Sequence, residues 1–215
     1  MPAVVNTFFA QVKPGGSERA IELSRRVAKP LERAGVKNVR LLRSATGETY
    51  GSLVLVMEHP SMKAYGASFD RIMKDDEVVS LIAAAEAPDS PFASQSVSIS
   101  NEVPIGTTPK PGPVVQVSIS RPLPGRLADA VAFGAKVGEA FKKLGVSGRL
   151  FQSGFSGSQS GTFAFSLEFA SMAALGEIDD AFLESKEGLE LIEELNSPKS
   201  PIAMISQDIF TEITL

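Results

Sequence analysis

The chain of 215 residues has no cysteine, no tryptophan and a single histidine. Without cysteine there is no disulfide, no thiolate metal site, no iron–sulfur ligation and no cysteine nucleophile. This is compatible with the cytoplasm, which is the location expected. One histidine and no His/Asp/Glu cluster at ligand spacing give no metal site to expect. Neither sign of charge dominates: 21 basic residues face 25 acidic ones, for a net charge of -4. With no basic stripe, nucleic acid and anionic membranes are not expected partners. No apolar run approaches the ~20 residues that a bilayer span requires, and no secretion signal is legible at the start. The glycines between 154 and 161 are not followed by Lys-Ser/Thr or by a helix, so they make no phosphate loop.

What the chain has is a repeat. Val4-Val5 returns as Val114-Val115, Pro14-Gly15 as Pro124-Gly125, and Gly35-Val36 as Gly145-Val146. Glu58, Ser61, Met62, Ala64, Gly66 and Asp70 return as Glu168, Ser171, Met172, Ala174, Gly176 and Asp180. About 25 of roughly 100 paired positions agree at one offset of 110, read here as ungapped, so the chain is two copies of one unit.

Each copy reads strand, helix, strand, strand, helix, strand. β-branched and aromatic residues mark the first strand, VVNTFFAQV and VVQVSIS. Ala20, Leu23, Val27, Leu31 and Ala34 make a helical stripe, matched by Ala130, Phe133, Val137, Phe141 and Leu144. Gly35 and Gly145 sit where C-terminal cap glycines belong, and Pro30 is expected to kink the first helix. Ser61 and Ser171 are candidate N-caps. The second helix is expected to break, with further pieces near Val78–Ala85 and Leu189–Leu195 and with Pro88 and Pro198 as stops. The order βαββαβ predicts an α+β fold of tandem ferredoxin-like repeats, each a four-stranded antiparallel sheet with its helices on one face. The bare faces are then expected to pack against each other, pairing the halves internally and leaving further homo-oligomerisation open. The expected boundaries are 1–103, a stiff proline-rich linker at 104–113, and 114–215.

The stretches EHPSMKAYGASFDRI and EFASMAALGEIDDAF resemble the turn after strand three in dimeric α+β barrel proteins. The endings SVSISNEV and DIFTEITL resemble the last strand of NIPSNAP-like members, and the chain is similar also to antibiotic-biosynthesis monooxygenases. The resemblance covers nearly the whole chain and implies the barrel fold in tandem. Among such proteins are cofactor-free quinone-forming monooxygenases, haem-degrading enzymes, chlorite dismutases and lactone isomerases. The haem-using patterns need a Trp, or a His on the second helix or in the second half. This chain lacks the Trp, and His59 precedes the helix, so no cofactor is expected.

The candidate residues follow. Asn6 can orient a carbonyl or an oxygen species, His59 can move a proton, and Tyr65 can donate a hydrogen bond; these form the expected catalytic set, in the first half. Each has a bland alternative, His59 as a turn residue and Tyr65 as a packed ring. Phe8, Gln116, Ser118 and Ser166 are expected to touch substrate. Val5, Thr7 and Phe9 are read as the core face of strand one. Glu58 and Glu168 are expected near helix starts as anion partners of free N–H groups, and Arg40, Arg43 and Arg149 are candidates for a carboxylate ligand. The expected function is binding of a small, apolar or aromatic molecule, with cofactor-independent monooxygenase or isomerase activity. A non-catalytic binding or assembly module is the alternative.

Overall fold

The computed structural model describes residues 3–107 and 110–215. Eight strands and six α-helices are found among them, a mixed α+β chain. The first repeat runs β1 (Val4–Val12), α1 (Ser17–Arg33), β2 (Lys37–Ser44), β3 (Leu53–His59), α2 (Met62–Ile72), α3 (Asp76–Glu86) and β4 (Phe92–Val103). The second runs β5 (Val114–Pro122), α4 (Leu127–Lys143), β6 (Gly148–Phe155), β7 (Phe163–Phe169), α5 (Met172–Glu184), α6 (Lys186–Asn196) and β8 (Ile202–Ile213).

In the first repeat β1 pairs antiparallel with β3 on one side and β4 on the other, and β2 lies outside β3. The second repeat reproduces this with β5 between β7 and β8 and with β6 outside β7. Local signals set the helix ends as expected. The Ser61 and Ser171 hydroxyls accept from the amides of Ala64 and Ala174, closing the first turns of α2 and α5. Gly35, at φ 91°, follows the last turn of α1, and the Val36 amide donates back to the Leu31 carbonyl. α1 continues through Pro30 and ends at Arg33. Asp75 and Ser185 cap the separate helices α3 and α6.

The repeat is not ungapped. Arg40 faces Val56 across the β2–β3 ladder, and Arg149 faces Ser166 across β6–β7, so strand two is offset by one residue fewer than strand three. The extra residue of the first copy is a bulge between Lys37 and Arg40. Asn38 occupies it at φ 46°, a conformation that asparagine tolerates better than most residues. Its amide donates to Glu58 at 2.8 Å. The turn after the strand restores the count: Ser44 closes onto Ser52, and Ser153 closes onto Thr162.

The face of β1 that meets the helices is also the other one from that expected. Ala10 is fully buried in the first core with Leu31, Val36, Leu41 and Leu55, and Phe8 and Val12 pack against them. Val5 and Val115, on the opposite face, are buried too.

Two compact units are present. One takes in residues up to 101 with 155–157 and 212–215; the other takes 102–154 and 158–211. Within the first, Arg40 grips the carboxylate of Glu212 at 3.0 and 3.1 Å. Within the second, Arg149 bonds to Glu102 at 2.8 Å and lies over the Phe151 ring. Thr108 and Pro109, in the middle of the expected linker, lie outside the described residues. Three described residues of that segment make contacts. Ile105 joins Ala130, Leu150 and Phe163 in the second unit's core, Thr107 donates to the Gly148 carbonyl, and the Gly112 amide donates to Glu168 at 3.0 Å.

Candidate functional site

The second repeat has a cavity of about 230 Å³ between its sheet and its helices. Five phenylalanines wall it: Phe133 and Phe141 from α4, Phe163 and Phe165 from β7, and Phe182 from α5. In the first repeat the same places hold Leu23, Leu31, Leu53, Leu55 and Ile72. The exchange runs the other way on the floor. Phe8 and Phe92 meet edge to face at 6.1 Å and fill the first repeat. Their counterparts are Ser118 and Ile202, both on the cavity wall. The rings stand on β7 and the helices rather than at the places of Phe8 and Phe92, and the space above Ser118 is left open.

The floor is polar. Gln116, Ser118 and Ser120 alternate along β5 with their side chains on the helix face, and Gln207 stands directly opposite Ser118 on β8. Positions i, i+2 and i+4 share one sheet face, which places these groups in a row. None of the four makes a side-chain hydrogen bond among the described residues. At the rim, Leu183 and Met204 are 47% and 43% exposed, so the mouth itself is apolar. Asp179 is the charged group lining the cavity, near that mouth.

The expected catalytic residues lie in the first repeat. Asn6 faces Met57 and His59 faces Val4 across the β1–β3 ladder, so both stand on the helix-facing side. His59 is 2% exposed, and Tyr65 meets its ring edge-on at 5.3 Å. Burial pushes the imidazole below its ordinary pKa and the Tyr65 phenol above its own. The structure thus brings Asn6, His59 and Tyr65 to one end of the first unit. Gln116 and Ser118 line the cavity of the second. Phe8 is packed in the first core, and Ser166, opposite Val117, lies on the face away from the cavity. Arg40 and Arg149 are engaged by Glu212 and Glu102, Glu58 accepts from Asn38, and Glu168 accepts from Gly112. Sequence reasoning named Gln116 and Ser118 of this cavity but not its phenylalanine walls. The signal of the cavity is the reciprocal change of Phe8 and Phe92 to Ser118 and Ile202, with five aliphatic residues becoming phenylalanine.

Among the described residues no group of three or more His, Cys, Asp or Glu could hold a metal ion. No helix among them is long and apolar enough to cross a membrane.

No family model matches the chain, and no curated protein does. Solved structures do. A provisionally named monooxygenase of Fusobacterium nucleatum superimposes with a TM-score of 0.68 at 12% identity, over 99% of this chain and 93% of that one. An anthrone oxidase-like protein gives 0.62 at 10% identity, over 99% and 92%. A haem-binding protein of Thermus thermophilus gives 0.51 at 11% identity, over 99% and 91%. These similarities identify the fold as that of the dimeric α+β barrel proteins. Haem does not fit the cavity of this chain. No His, Cys or Tyr lines it, the rim thioether of Met204 being its one candidate ligand; His59 is buried in the other repeat, and about 230 Å³ is too small for the macrocycle.

Proposed function

We propose that this chain binds a small, flat, largely apolar molecule in the second repeat, with the oxygen substituents of the ligand set against Gln116 and Ser118. One observation carries the reading: a phenylalanine-walled cavity stands over a row of polar side chains that make no side-chain hydrogen bond among the described residues. Ligand sites are mostly apolar with a few placed polar groups, and these side chains are not committed to another bond among the described residues. At about 230 Å³ the space suits one or two fused rings rather than a large cofactor.

The names of two neighbours, a monooxygenase and an anthrone oxidase-like protein, support oxygenation as the reaction class, and we propose that it uses dioxygen without a cofactor. An activated methylene group would be converted to a carbonyl. Both C–H bonds break, one atom of O₂ becomes the carbonyl oxygen and the other leaves as water. The Gln116 amide and Ser118 hydroxyl would donate to the substrate oxygen and stabilise the enolate that forms when the first proton leaves. Isomerisation of an unsaturated lactone would draw on the same donors. We further propose that the two repeats form the barrel within one chain. The Arg40–Glu212 and Arg149–Glu102 pairs support this, since each ties strand two of one repeat to the end of the other repeat's last strand.

The test uses a panel of naphthols, hydroxynaphthoquinones and tetralones with the whole chain. The absence of tryptophan leaves the near-ultraviolet clear for ligand fluorescence. Saturable binding that Ser118→Phe abolishes supports the site, and oxygen uptake with one member supports the reaction. Binding to no member of the panel, or binding unaltered by Ser118→Phe, overturns it in favour of a non-catalytic assembly module.

A further inference from the structure

The first repeat holds two buried atoms with no hydrogen-bond partner among the described residues, Oδ1 of Asn6 and Nδ1 of His59. Folded proteins satisfy nearly all such atoms, so an orphan calls for an occupant. The ladder makes the two residues neighbours. Asn6 is opposite Met57 and His59 is opposite Val4, so they are diagonal across β1 and β3 on one face, at a separation of about 7–8 Å or less between β-carbons. Neither atom bonds to the other directly, and one oxygen held between them would satisfy both. The second repeat has Gln116 and Phe169 at these places, so it has no imidazole to offer.

We propose that a hydroxyl oxygen bridges Asn6 and His59 in the first repeat, at a site separate from the cavity. A phenol hydroxyl suits one tautomer of the neutral imidazole and a water molecule suits both. With the proton on Nδ1, the oxygen accepts from His59 and donates to Asn6. With the proton on Nε2, an oxygen carrying two hydrogens donates to both. Burial keeps the ring neutral, and the partners bear no charge, which excludes an ion as the natural occupant. From His59 an aromatic path leads outward. Tyr65 lies edge-on to the imidazole, Phe69 lies 6.2 Å beyond Tyr65, and Phe69 is 47% exposed. A phenol moving along those rings would carry its hydroxyl to the buried pair. The occupant is therefore either the hydroxyl of a small phenol or a held water molecule.

The lone histidine makes the test direct, because its imidazole nitrogens give a single set of resonances in protein labelled with 15N-histidine. Phenol is titrated into the full chain, with benzene as the control that lacks a hydroxyl. A saturable shift with phenol but not benzene, weakened at least about tenfold by Asn6→Leu, identifies the phenol. A persistent water-to-imidazole cross-peak without a phenol response assigns the bridge to solvent and equally supports it. Neither signal in the wild-type protein overturns the proposal. So does a higher Tm in His59→Phe, which installs the residue the second repeat uses, because it would show that the imidazole had been left unsatisfied. The phenol response is expected to survive Ser118→Phe, so failure at the cavity and failure here are told apart.

Discussion

The ring of Phe141 lies parallel to that of Phe182, 4.5 Å away and 6° from coplanar. The pair joins α4 to α5 and forms part of the cavity wall. In the first repeat its places are taken by Leu31 and Ile72. Stacked aromatic pairs contribute about 0.5–1.5 kcal/mol beyond the area they bury. Phe182→Ala is expected to cost about 3–5 kcal/mol in urea unfolding. Phe141→Leu should cost less than about 1.5 kcal/mol while still weakening ligand binding, since it removes the stack but keeps most of the volume. A ligand affinity unaffected by both variants would place binding elsewhere.

The reciprocal position is Phe8. Its ring fills in the first repeat the space that Ser118 leaves open in the second, edge to face with Phe92. Phe8→Ser is expected to open a void and destabilise the chain by about 3–5 kcal/mol. Ser118→Phe should change stability by no more than about 1–3 kcal/mol, because that space is already present. Paired denaturation curves read the difference. Equal losses would mean that the two floors are packed alike.

Asn38 tests the one-residue difference between the copies. Its positive φ suits glycine as well as asparagine. Asn38→Gly should therefore leave stability within about 1 kcal/mol, the loss of the bond to Glu58 being partly offset by relief of strain. Asn38→Val, β-branched at the same φ, should cost about 1–2 kcal/mol or more. Similar Tm values for the two variants would show that the bulge is not held in this conformation.

His59 should make stability depend on pH. Burial lowers its pKa in the folded chain below the ordinary value of 6.5, so the unfolded chain takes up a proton that the folded chain refuses. The stability concerned is fully present above pH 6.5 and is lost as pH falls from there toward the depressed folded value. The slope is bounded by one proton, about 1.4 kcal/mol per pH unit. His59→Phe should flatten the curve in that window. An unchanged slope would show that carboxylates alone produce it.

Much of the fold was legible because it rests on local chemistry stated twice. The apolar stripes of α1 and α4, the Ser61 and Ser171 caps and the glycines at Gly35 and Gly145 each act within one or two turns of chain. The bulge at Asn38 was not legible, since a residue inserted in one strand and removed in the next turn leaves the overall offset at 110. The helix-facing side of β1 was misread for a related reason. Both faces of that strand carry buried residues, and alternation cannot rank two faces that are both apolar.

The sequence by itself determined the repeat, the element order, the lack of thiolate chemistry and the scarcity of imidazole, because these are counts and periods along one chain. Only the tertiary structure decided where space is left. Ser118 looks like a modest change from Phe8 until Phe133, Phe141, Phe163, Phe165 and Phe182 are seen to converge on it from α4, β7 and α5. A cavity is the difference between the volume enclosed by distant segments and the side chains that fill it. That difference, like the pairing of Asn6 with His59 across two strands, exists only once the segments have been brought together.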